Sequence, residues 1–366
     1  MLSISLITLG DPATLTGGYL YHRRMADAAP SHDARITFTS FPNLAFPLPA
    51  IAGRRIVDAV GDSGADVVVL DSIAAAYLAP WLGREKLGVP LVGSLHQPPG
   101  GIDHGPLRTA IQARLDRMAY RHAALLLVAS DLLAEQLLED GVPLDRLRVV
   151  PPGRDVAGGG RDLGAGPGPR DRADLRQGRS AAFLCVGNWV ERKGILSLLD
   201  AVALLPEGAA TLHLVGDDTA DSRYASRVRD RLADPALRDR VVVHGPLSRE
   251  EVAALYRGAD AFVLPSLKEP YGTVYGEAMA EGLPVVGWRA GNLPYLAEHE
   301  REGLLMDPGD VSGLASSLAL LALDEPMRRR MGKAARDRAV GRPTWEESAA
   351  VFFGSIREVA ARLSRS

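Results

Sequence analysis

The 366-residue chain has a single cysteine, few aromatic residues and no long apolar run. Because Cys185 stands alone, no disulfide or cysteine-ligated zinc cluster can form within the chain, and we expect a reducing, cytoplasmic compartment. The longest apolar stretches, 123–129 and 317–323, fall far short of the ~18 residues that a membrane-spanning helix needs. The first residues, MLSISLITLG, lack a basic n-region and are predicted to form a first strand instead of a secretory signal.

Lysine is also scarce, and the charge is nearly balanced. With 42 basic and 45 acidic residues, the net charge is −3, so no nucleic-acid partner is expected. Only four of the basic residues are lysines: Lys86, Lys193, Lys268 and Lys333. A lysine kept in this arginine-rich background is a candidate for a compact point charge. No cluster of histidine, cysteine or carboxylate residues has the spacing of a tight metal site, so no metal is predicted.

Four arginines, Arg108, Arg114, Arg117 and Arg121, fall near one face of a predicted helix. Such a face can contact anionic lipids, so peripheral membrane contact is one expectation. Acidic residues slightly outnumber basic ones over residues 1–155, which favours a solvated face instead.

Short apolar runs alternate with longer amphipathic stretches, which is typical of βαβ units and parallel sheets. The predicted strands are 3–9, 34–40, 65–71, 89–96, 123–130 and 147–153 in the first half, then 181–187, 210–217, 240–245, 261–266, 283–288 and 303–307 in the second. The pattern predicts an α/β protein with two doubly wound, Rossmann-like domains. Their predicted ranges are 1–155 and 181–340, with a Gly/Pro-rich linker at 156–180 and a closing helix within 341–366. Ligands of such sheets bind at the C-terminal strand ends.

The segment 264–287 carries two glutamates around a predicted strand-to-helix junction. Glu269 follows a buried strand, and Glu277 lies in the early turns of a helix that begins near Gly272-Thr273. The N–H groups of a helix N-terminus bind anions, and a carboxylate can hold the vicinal hydroxyls of a ribose. A glutamate that only offsets the helix dipole is the alternative, which the spacing leaves open.

A similar junction at 186–206 contains Asn188, Arg192 and Lys193 before a helix that begins at about Gly194. A lysine beside a helix N-terminus, at the C-terminal edge of a strand, is suited to clamp a phosphate. The alternative is a solvated surface lysine, and the segment alone does not decide between them.

Two further candidates lie in the first half of the chain. Gly17 and Gly18 connect the first strand to the first helix, in a loop without the GxGxxG pattern of a dinucleotide site. Glycines there let a phosphate or a sugar approach the backbone. His96 ends a predicted strand, where it can contact a sugar hydroxyl or a developing charge; a purely structural histidine is the alternative.

Taken together, these segments resemble the retaining nucleotide-sugar glycosyltransferases of the GT-B fold, in family four. The resemblance covers nearly the whole chain and keeps the family's order. It includes ALLLVASDLLAEQLLEDGVPLDRLRVVPPGRD (124–155), VGNWVERKG (186–194) and VVVHGPLSREEVAALYRGADAFVLPSLKEPYGTVYGEAMAEGLPVVG (241–287). The final TWEESAAVFF (344–353) is similar to the family's tail helix, which crosses back to the first domain. The resemblance implies two Rossmann-like domains that face each other across a cleft.

The resemblance also implies roles for single residues. Glu269 opens the family's two-glutamate motif beside the donor sugar, and Glu277 closes it and holds the ribose hydroxyls. Lys193 matches the diphosphate-clamping lysine, whereas Asn188 stands where most members carry an arginine; Arg192 is the neighbouring candidate to replace it. The implied catalytic residues are Glu269, His96 and Lys193, and the implied donor-binding residues are Gly17, Gly18, Asn188, Arg192, Lys193, Leu247, Gly272, Thr273, Val274 and Glu277.

The implied function is that of a retaining glycosyltransferase that needs no metal ion and no resident cofactor. Its donor is expected to be a nucleoside-diphosphate sugar, with UDP, the family's commonest nucleotide, ahead of GDP. Its acceptor is a hydroxyl of a saccharide, a lipid-linked molecule or a small molecule, and the loops 10–22, 41–50 and 97–106 are expected to bind it. Two alternatives stay open: a nucleotide-sugar 2-epimerase or hydrolase of the same fold, and an inactive sugar-nucleotide-binding protein.

Overall fold

A computed structural model describes residues 1–12, 17–42, 64–82, 87–155 and 175–363. Most of the predicted linker (156–174) and most of the predicted acceptor loop 41–50 (43–50) lie outside these residues, as do residues 13–16 of the first loop. The chain divides into two compact units, one formed by Met1–Asp155 with Pro343–Ser366 and the other by Val156–Arg342.

The first unit contains a six-stranded parallel sheet. Its strands are β1 (Leu2–Leu9), β2 (Ala34–Phe41), β3 (Val67–Asp71), β4 (Leu91–Leu95), β5 (Leu125–Val128) and β6 (Leu147–Val149). They are arranged in the order β2-β1-β3-β4-β5-β6. β2 lies on one side of β1, and β3 to β6 follow one another on the other side. The topological switch point therefore lies between β1 and β3.

The second unit contains another six-stranded parallel sheet. Its strands are β7 (Ala181–Val186), β8 (Ala210–Val215), β9 (Val241–Gly245), β10 (Ala261–Val263), β11 (Val285–Trp288) and β12 (Gly303–Met306). Their order is β12-β11-β10-β7-β8-β9, which places the switch point between β7 and β10. The prediction of two doubly wound α/β sheets is confirmed.

Helices connect the strands. In the first unit they span Gly17–Ala28, Ala75–Leu82, Pro106–Arg121, Asp131–Glu139 and Trp345–Leu363. In the second unit they span Ile195–Ala203, Ser222–Leu232, Arg249–Gly258, Thr273–Ala280, Leu293–Leu296, Val311–Leu323 and Glu325–Val340. Side-chain caps define several helix starts: Ser130 accepts from the N–H of Leu133, and Ser248 and Glu251 form a reciprocal capping box.

The inner strands are buried on both faces because helices cover both sides of each sheet. Every residue of β3, β4, β5 and β8 is buried, as expected for parallel sheets. The closing helix, Trp345–Leu363, buries Phe352 and Phe353 in the core that contains Tyr21 and Met25 of the first helix. The C-terminal segment is therefore part of the first unit.

Some strands end earlier than predicted, and proline explains two of these ends. β6 stops at Val149 because Pro151 and Pro152 cannot donate to a sheet ladder. β10 stops at Val263, shortly before Pro265, so residues 264–268 are irregular instead of extending a strand to 266. These irregular residues connect β10 to Glu269 at the C-terminal edge of the second sheet.

Candidate functional site

Lys193 and Glu269 meet at the switch point of the second sheet. Lys193 follows β7 and Glu269 follows β10, and these two strands are neighbours. The Lys193 Nζ atom lies 2.5 Å from Glu269 Oε2, and the two side chains are only 10% and 14% exposed. A charge-assisted bond of this kind is shorter and stronger than one between neutral groups. Two residues predicted separately from two sequence segments therefore share one location.

Arg192 brings a second cation to the same carboxylate. Its Nη1 lies 3.6 Å from Glu269 Oε2 and donates to the carbonyl oxygen of Lys268 at 3.0 Å. The backbone ties the two loops together as well, because the carbonyl oxygen of Arg192 accepts from the N–H of Leu267 at 2.8 Å. The loops after β7 and β10 thus form one cationic surface around a single carboxylate.

Gly194 makes the approach of these two loops possible. It caps the helix Ile195–Ala203 in the left-handed conformation, with φ of +69°. A Cβ atom added there would lie 2.1 Å from the carbonyl oxygen of Pro265. Only glycine fits both the backbone conformation and this distance, so Lys193 is placed beside the helix N-terminus.

The second helix N-terminus at this edge belongs to Thr273–Ala280. Gly272 caps it with φ of +83°, and Thr273 is exposed while Val274 is half-buried. Glu277 is exposed and accepts a hydrogen bond from the hydroxyl of Tyr256 at 3.3 Å. Burial, together with the Glu277 carboxylate, raises the pKa of Tyr256 well above its ordinary value, so the phenol stays a donor.

Asn188 and Leu247 follow β7 and β9 at the same sheet edge. Asn188 is exposed, and its Oδ1 accepts from the N–H of Asp217 at 3.3 Å. Leu247 is partly buried against the core of the second unit and follows Gly245, whose φ is +70°. The structure does not bring Asn188 into the contact between Lys193 and Glu269.

Two of the three residues predicted in the first unit, Gly18 and His96, lie close together. Gly17 and Gly18 are the first two residues of the helix Gly17–Ala28, not a loop. A Cβ atom added at Gly18 would lie 3.7 Å from Cδ2 of His96, so these two residues are close, whereas Gly17 has open space around it. The ring of His96 packs against that of Tyr21, with 4.6 Å between centroids. Burial of this ring and the nearby His22 lower the pKa of His96 to about 3, so it is neutral at physiological pH.

A buried polar network that no sequence motif indicated lies beside His96. Asp71, at the end of β3, accepts a hydrogen bond from Thr8 Oγ1 at 2.8 Å, and its Oδ2 lies 3.2 Å from His22 Nε2. All three side chains are buried. The sequence does contain a signal for this network. Thr8 and Asp71 lie at the C-terminal ends of two apolar strands, and ligands of parallel sheets bind at these ends.

The comparisons with known proteins cover both units. Residues 169–338 match the family described as glycosyl transferases group 1, and residues 5–153 match a glycosyl transferase 4-like domain. A D-inositol 3-phosphate glycosyltransferase of Xylanimonas cellulosilytica is 31% identical over 310 residues, which are 78% of this chain and 70% of that protein. The chain belongs to the group 1 glycosyl transferases.

Other relatives of this glycosyltransferase differ in the activities that their names state. A D-inositol 3-phosphate glycosyltransferase of Pseudarthrobacter chlorophenolicus is 30% identical, over 76% of this chain and 67% of that protein. A GDP-mannose-dependent alpha-(1-6)-phosphatidylinositol monomannoside mannosyltransferase of Mycobacterium tuberculosis is 29% identical, over 59% of this chain and 57% of that protein.

Solved structures share the fold over the whole chain. Sucrose-phosphate synthase from Thermosynechococcus elongatus has a TM-score of 0.82 at 22% identity, covering 99% of this chain and all of that one. HepE from Anabaena, in complex with UDP-glucose, has a TM-score of 0.76 at 21% identity and covers both chains fully. These similarities confirm the predicted GT-B fold class.

Metal-binding clusters and membrane-spanning helices are both absent from the part of the glycosyltransferase that the structure describes. Within those ranges, no three histidine, cysteine or acidic side chains are grouped so as to hold a metal ion. None of the described helices combines the length and the apolar character that crossing a bilayer requires.

Proposed function

We propose that this protein is a retaining glycosyltransferase that transfers a sugar from a nucleoside-diphosphate sugar to a hydroxyl group of an acceptor. The observation that carries this proposal is the contact of Lys193 with Glu269 at the switch point of the second sheet. Two helices begin beside this contact, each capped by a left-handed glycine, Gly194 and Gly272. A lysine ammonium group beside the free N–H groups of a helix N-terminus is suited to bind a diphosphate.

Arg192 is proposed as the second cation for the diphosphate. It replaces the arginine that the family resemblance places at Asn188, because Arg192 lies 3.6 Å from the carboxylate that also holds Lys193. Two cations can offset the charge that grows on the departing diphosphate, and the proposal therefore includes no metal ion or other cofactor. The departing diphosphate itself is proposed to help deprotonate the acceptor.

Glu277 is proposed to hold the ribose of the donor. Its carboxylate is exposed and has two oxygens, which suit two neighbouring hydroxyl groups. Tyr256 supports this geometry, because its hydroxyl donates a hydrogen bond to one of these oxygens at 3.3 Å. UDP remains the first candidate for the nucleotide and GDP the second. We also propose a cytoplasmic location, which the single, buried, unpaired Cys185 supports.

A donor and acceptor screen tests the proposal. The purified protein is incubated with UDP-glucose, GDP-mannose and ADP-glucose, each with and without inositol phosphate, a free saccharide and a lipid-linked acceptor. The relatives' names motivate the inositol phosphate and GDP-mannose arms. We expect nucleoside diphosphate release that depends on an acceptor and persists in EDTA, and a product whose anomeric configuration by NMR equals that of the donor.

The same screen separates the alternatives. Diphosphate release without an acceptor would indicate a hydrolase, and a 2-epimeric sugar product would indicate an epimerase. Donor binding in a thermal-shift assay without any release would indicate an inactive binding protein. An inverted product would overturn the retaining mechanism.

A further inference from the structure

We propose that the buried pair His22 and Asp71 positions the ring of His96 for a sugar at the C-terminal edge of the first sheet. This inference rests on the proposed function and on the family resemblance, which implies a catalytic role for His96. It assigns a role to two residues that no motif of the sequence singled out. The pair lies entirely within the first unit, at the switch point between β1 and β3.

Asp71 is the centre of the network. Its Oδ2 accepts from Thr8 Oγ1 at 2.8 Å and lies 3.2 Å from His22 Nε2, and its Oδ1 accepts from Ser72 Oγ at 3.3 Å. These partners come from the end of β1, from the first helix and from the loop after β3. A buried carboxylate is stable only when its oxygens are satisfied in this way.

The network reaches His96 through its backbone and through its ring. The N–H of His96 donates to Ser72 Oγ at 3.4 Å, and Ser72 in turn donates to Asp71. The ring of His96 meets that of His22 edge to face, with 4.8 Å between centroids and 77° between planes. Asp71 therefore restrains the backbone of His96 through Ser72 and the ring of His96 through His22.

Three further groups contact the ring of His96. Tyr21 covers one side, Gly18 lies beside Cδ2, and Ser94 Oγ lies 3.4 Å from Nε2. His96 is nevertheless partly exposed, whereas His22 has no exposed surface. An imidazole that its neighbours fix in place, in a residue that keeps some exposed surface, is suited to contact a ligand.

The charges around the ring agree with this geometry. The titratable groups that face it are Tyr21 and His22 from the first helix and Asp71 from β3, and Tyr19 faces Asp71. Burial opposes ionisation of Asp71, but the adjacent His22 and the hydrogen bond from Thr8 lower the pKa of Asp71 to about 2. The carboxylate therefore stays charged over the whole physiological range of pH.

The test compares His22→Gln with a control, His32→Gln. His32 belongs to the same unit but stacks on Phe353, away from His96. We expect His22→Gln to lower kcat by about 10- to 100-fold and to change the KM for the donor less than threefold, since a misplaced group affects the transition state more than binding. The control should keep the kcat of the wild type.

A second readout does not depend on activity. The ring signals of His96 are assigned in NMR spectra by their loss in His96→Gln, and the wild-type ring should remain uncharged from about pH 8 to about pH 5. In His22→Gln the neighbouring ring is gone while Asp71 keeps its charge, so the pKa of His96 should rise. The control His32→Gln should leave this pKa at its wild-type value.

Thr8 supplies a milder variant in case the histidine variant folds poorly. Thr8→Val removes one hydrogen bond to Asp71 and should lower kcat, whereas Thr8→Ser keeps the hydroxyl and should restore it. If the wild type transfers sugar but His22→Gln changes neither kcat nor the pKa of His96, the inference is overturned and the proposed function stands. If His22→Gln raises the pKa of His96 while the wild type transfers no sugar from any donor, the proposed function fails instead.

Discussion

Lys193 Nζ and Glu269 Oε2 lie 2.5 Å apart although 76 residues separate them in the chain. The contact exists because β7 and β10 are neighbours in the sheet, with Ala261 beside Phe183 and Phe262 beside Leu184. The loops after two adjacent parallel strands leave the sheet at the same edge. In the proposed function, the donor diphosphate replaces Glu269 as the anionic partner of Lys193.

The first prediction concerns Lys193. Lys193→Ala should lower kcat/KM by ~10²-fold or more, because negative charge grows on the leaving diphosphate in the transition state. Lys193→Arg should recover part of the loss, since the guanidinium group differs in geometry. The control is Lys333→Ala, which removes an exposed lysine paired with Asp337 and should keep wild-type kcat/KM in steady-state kinetics.

Arg192 decides how this prediction is interpreted. Arg192→Ala should lower kcat/KM less than Lys193→Ala does, because Arg192 lies farther from the Glu269 carboxylate. A much larger loss in the arginine variant would show that the diphosphate clamp is centred one residue away from Lys193.

The second prediction concerns Glu277. Glu277→Ala should weaken donor binding by ~1.5–3 kcal/mol, because it removes charge-assisted hydrogen bonds to the ribose, and Glu277→Gln should retain part of the affinity. Isothermal titration with the donor measures both. Glu250→Ala is the control, since it removes another exposed glutamate near a helix start of the same unit. Unchanged affinity in Glu277→Ala would refute the assignment to the ribose.

Much of this architecture can be predicted from local sequence. Short apolar runs identify each strand of the two described sheets, and the glycines at 194 and 272 mark the two helix starts that carry the site. The contact between Lys193 and Glu269 could not be predicted, because it depends on which strands are neighbours, and strand order is a property of the folded sheet. The network of Asp71 and His22 could not be predicted for a different reason. Asp71 is a single polar residue at the end of an apolar strand and His22 lies in an amphipathic helix, and only the packing of the helix on the sheet brings them together.

The third prediction concerns backbone strain at Gly272. Gly272→Ala should lower stability by ~1–3 kcal/mol, because φ is +83° and the new Cβ would lie 2.7 Å from Cδ2 of Tyr275. Gly276→Ala, in the same helix, is the matched control. Its new Cβ would be 3.7 Å from Nη1 of Arg342, an ordinary contact, so helix propensity should leave stability equal or higher. Thermal unfolding measures both, and equal melting temperatures would contradict the strain argument.

The last prediction concerns Asp116, a carboxylate buried in the helix Pro106–Arg121. Its Oδ2 accepts from the N–H of Gly100 at 2.8 Å, so it holds the loop that follows His96. Burial raises the pKa of Asp116 from 3.8 to about 7, against the opposing effect of its hydrogen bonds to the backbone of Gly100 and Ala76. The folded protein therefore keeps a proton on this group that the unfolded chain has already lost between these two pH values.

The sign of the pH dependence follows from this difference. Below pH 3.8 Asp116 is protonated in both the folded and the unfolded state, so it does not lower the free energy of unfolding. As the pH rises from 3.8 to about 7, this free energy falls by a total on the order of 4 kcal/mol, because only the unfolded state releases the proton. Asp116→Asn keeps an acceptor for Gly100 but cannot ionise, so its melting temperature at about pH 8 should exceed that of the wild type by several degrees. Asp145→Asn, which removes an exposed carboxylate of the same unit, controls for the loss of one charge. If the wild type and Asp116→Asn lose stability in parallel between about pH 4 and about pH 8, Asp116 does not carry this proton.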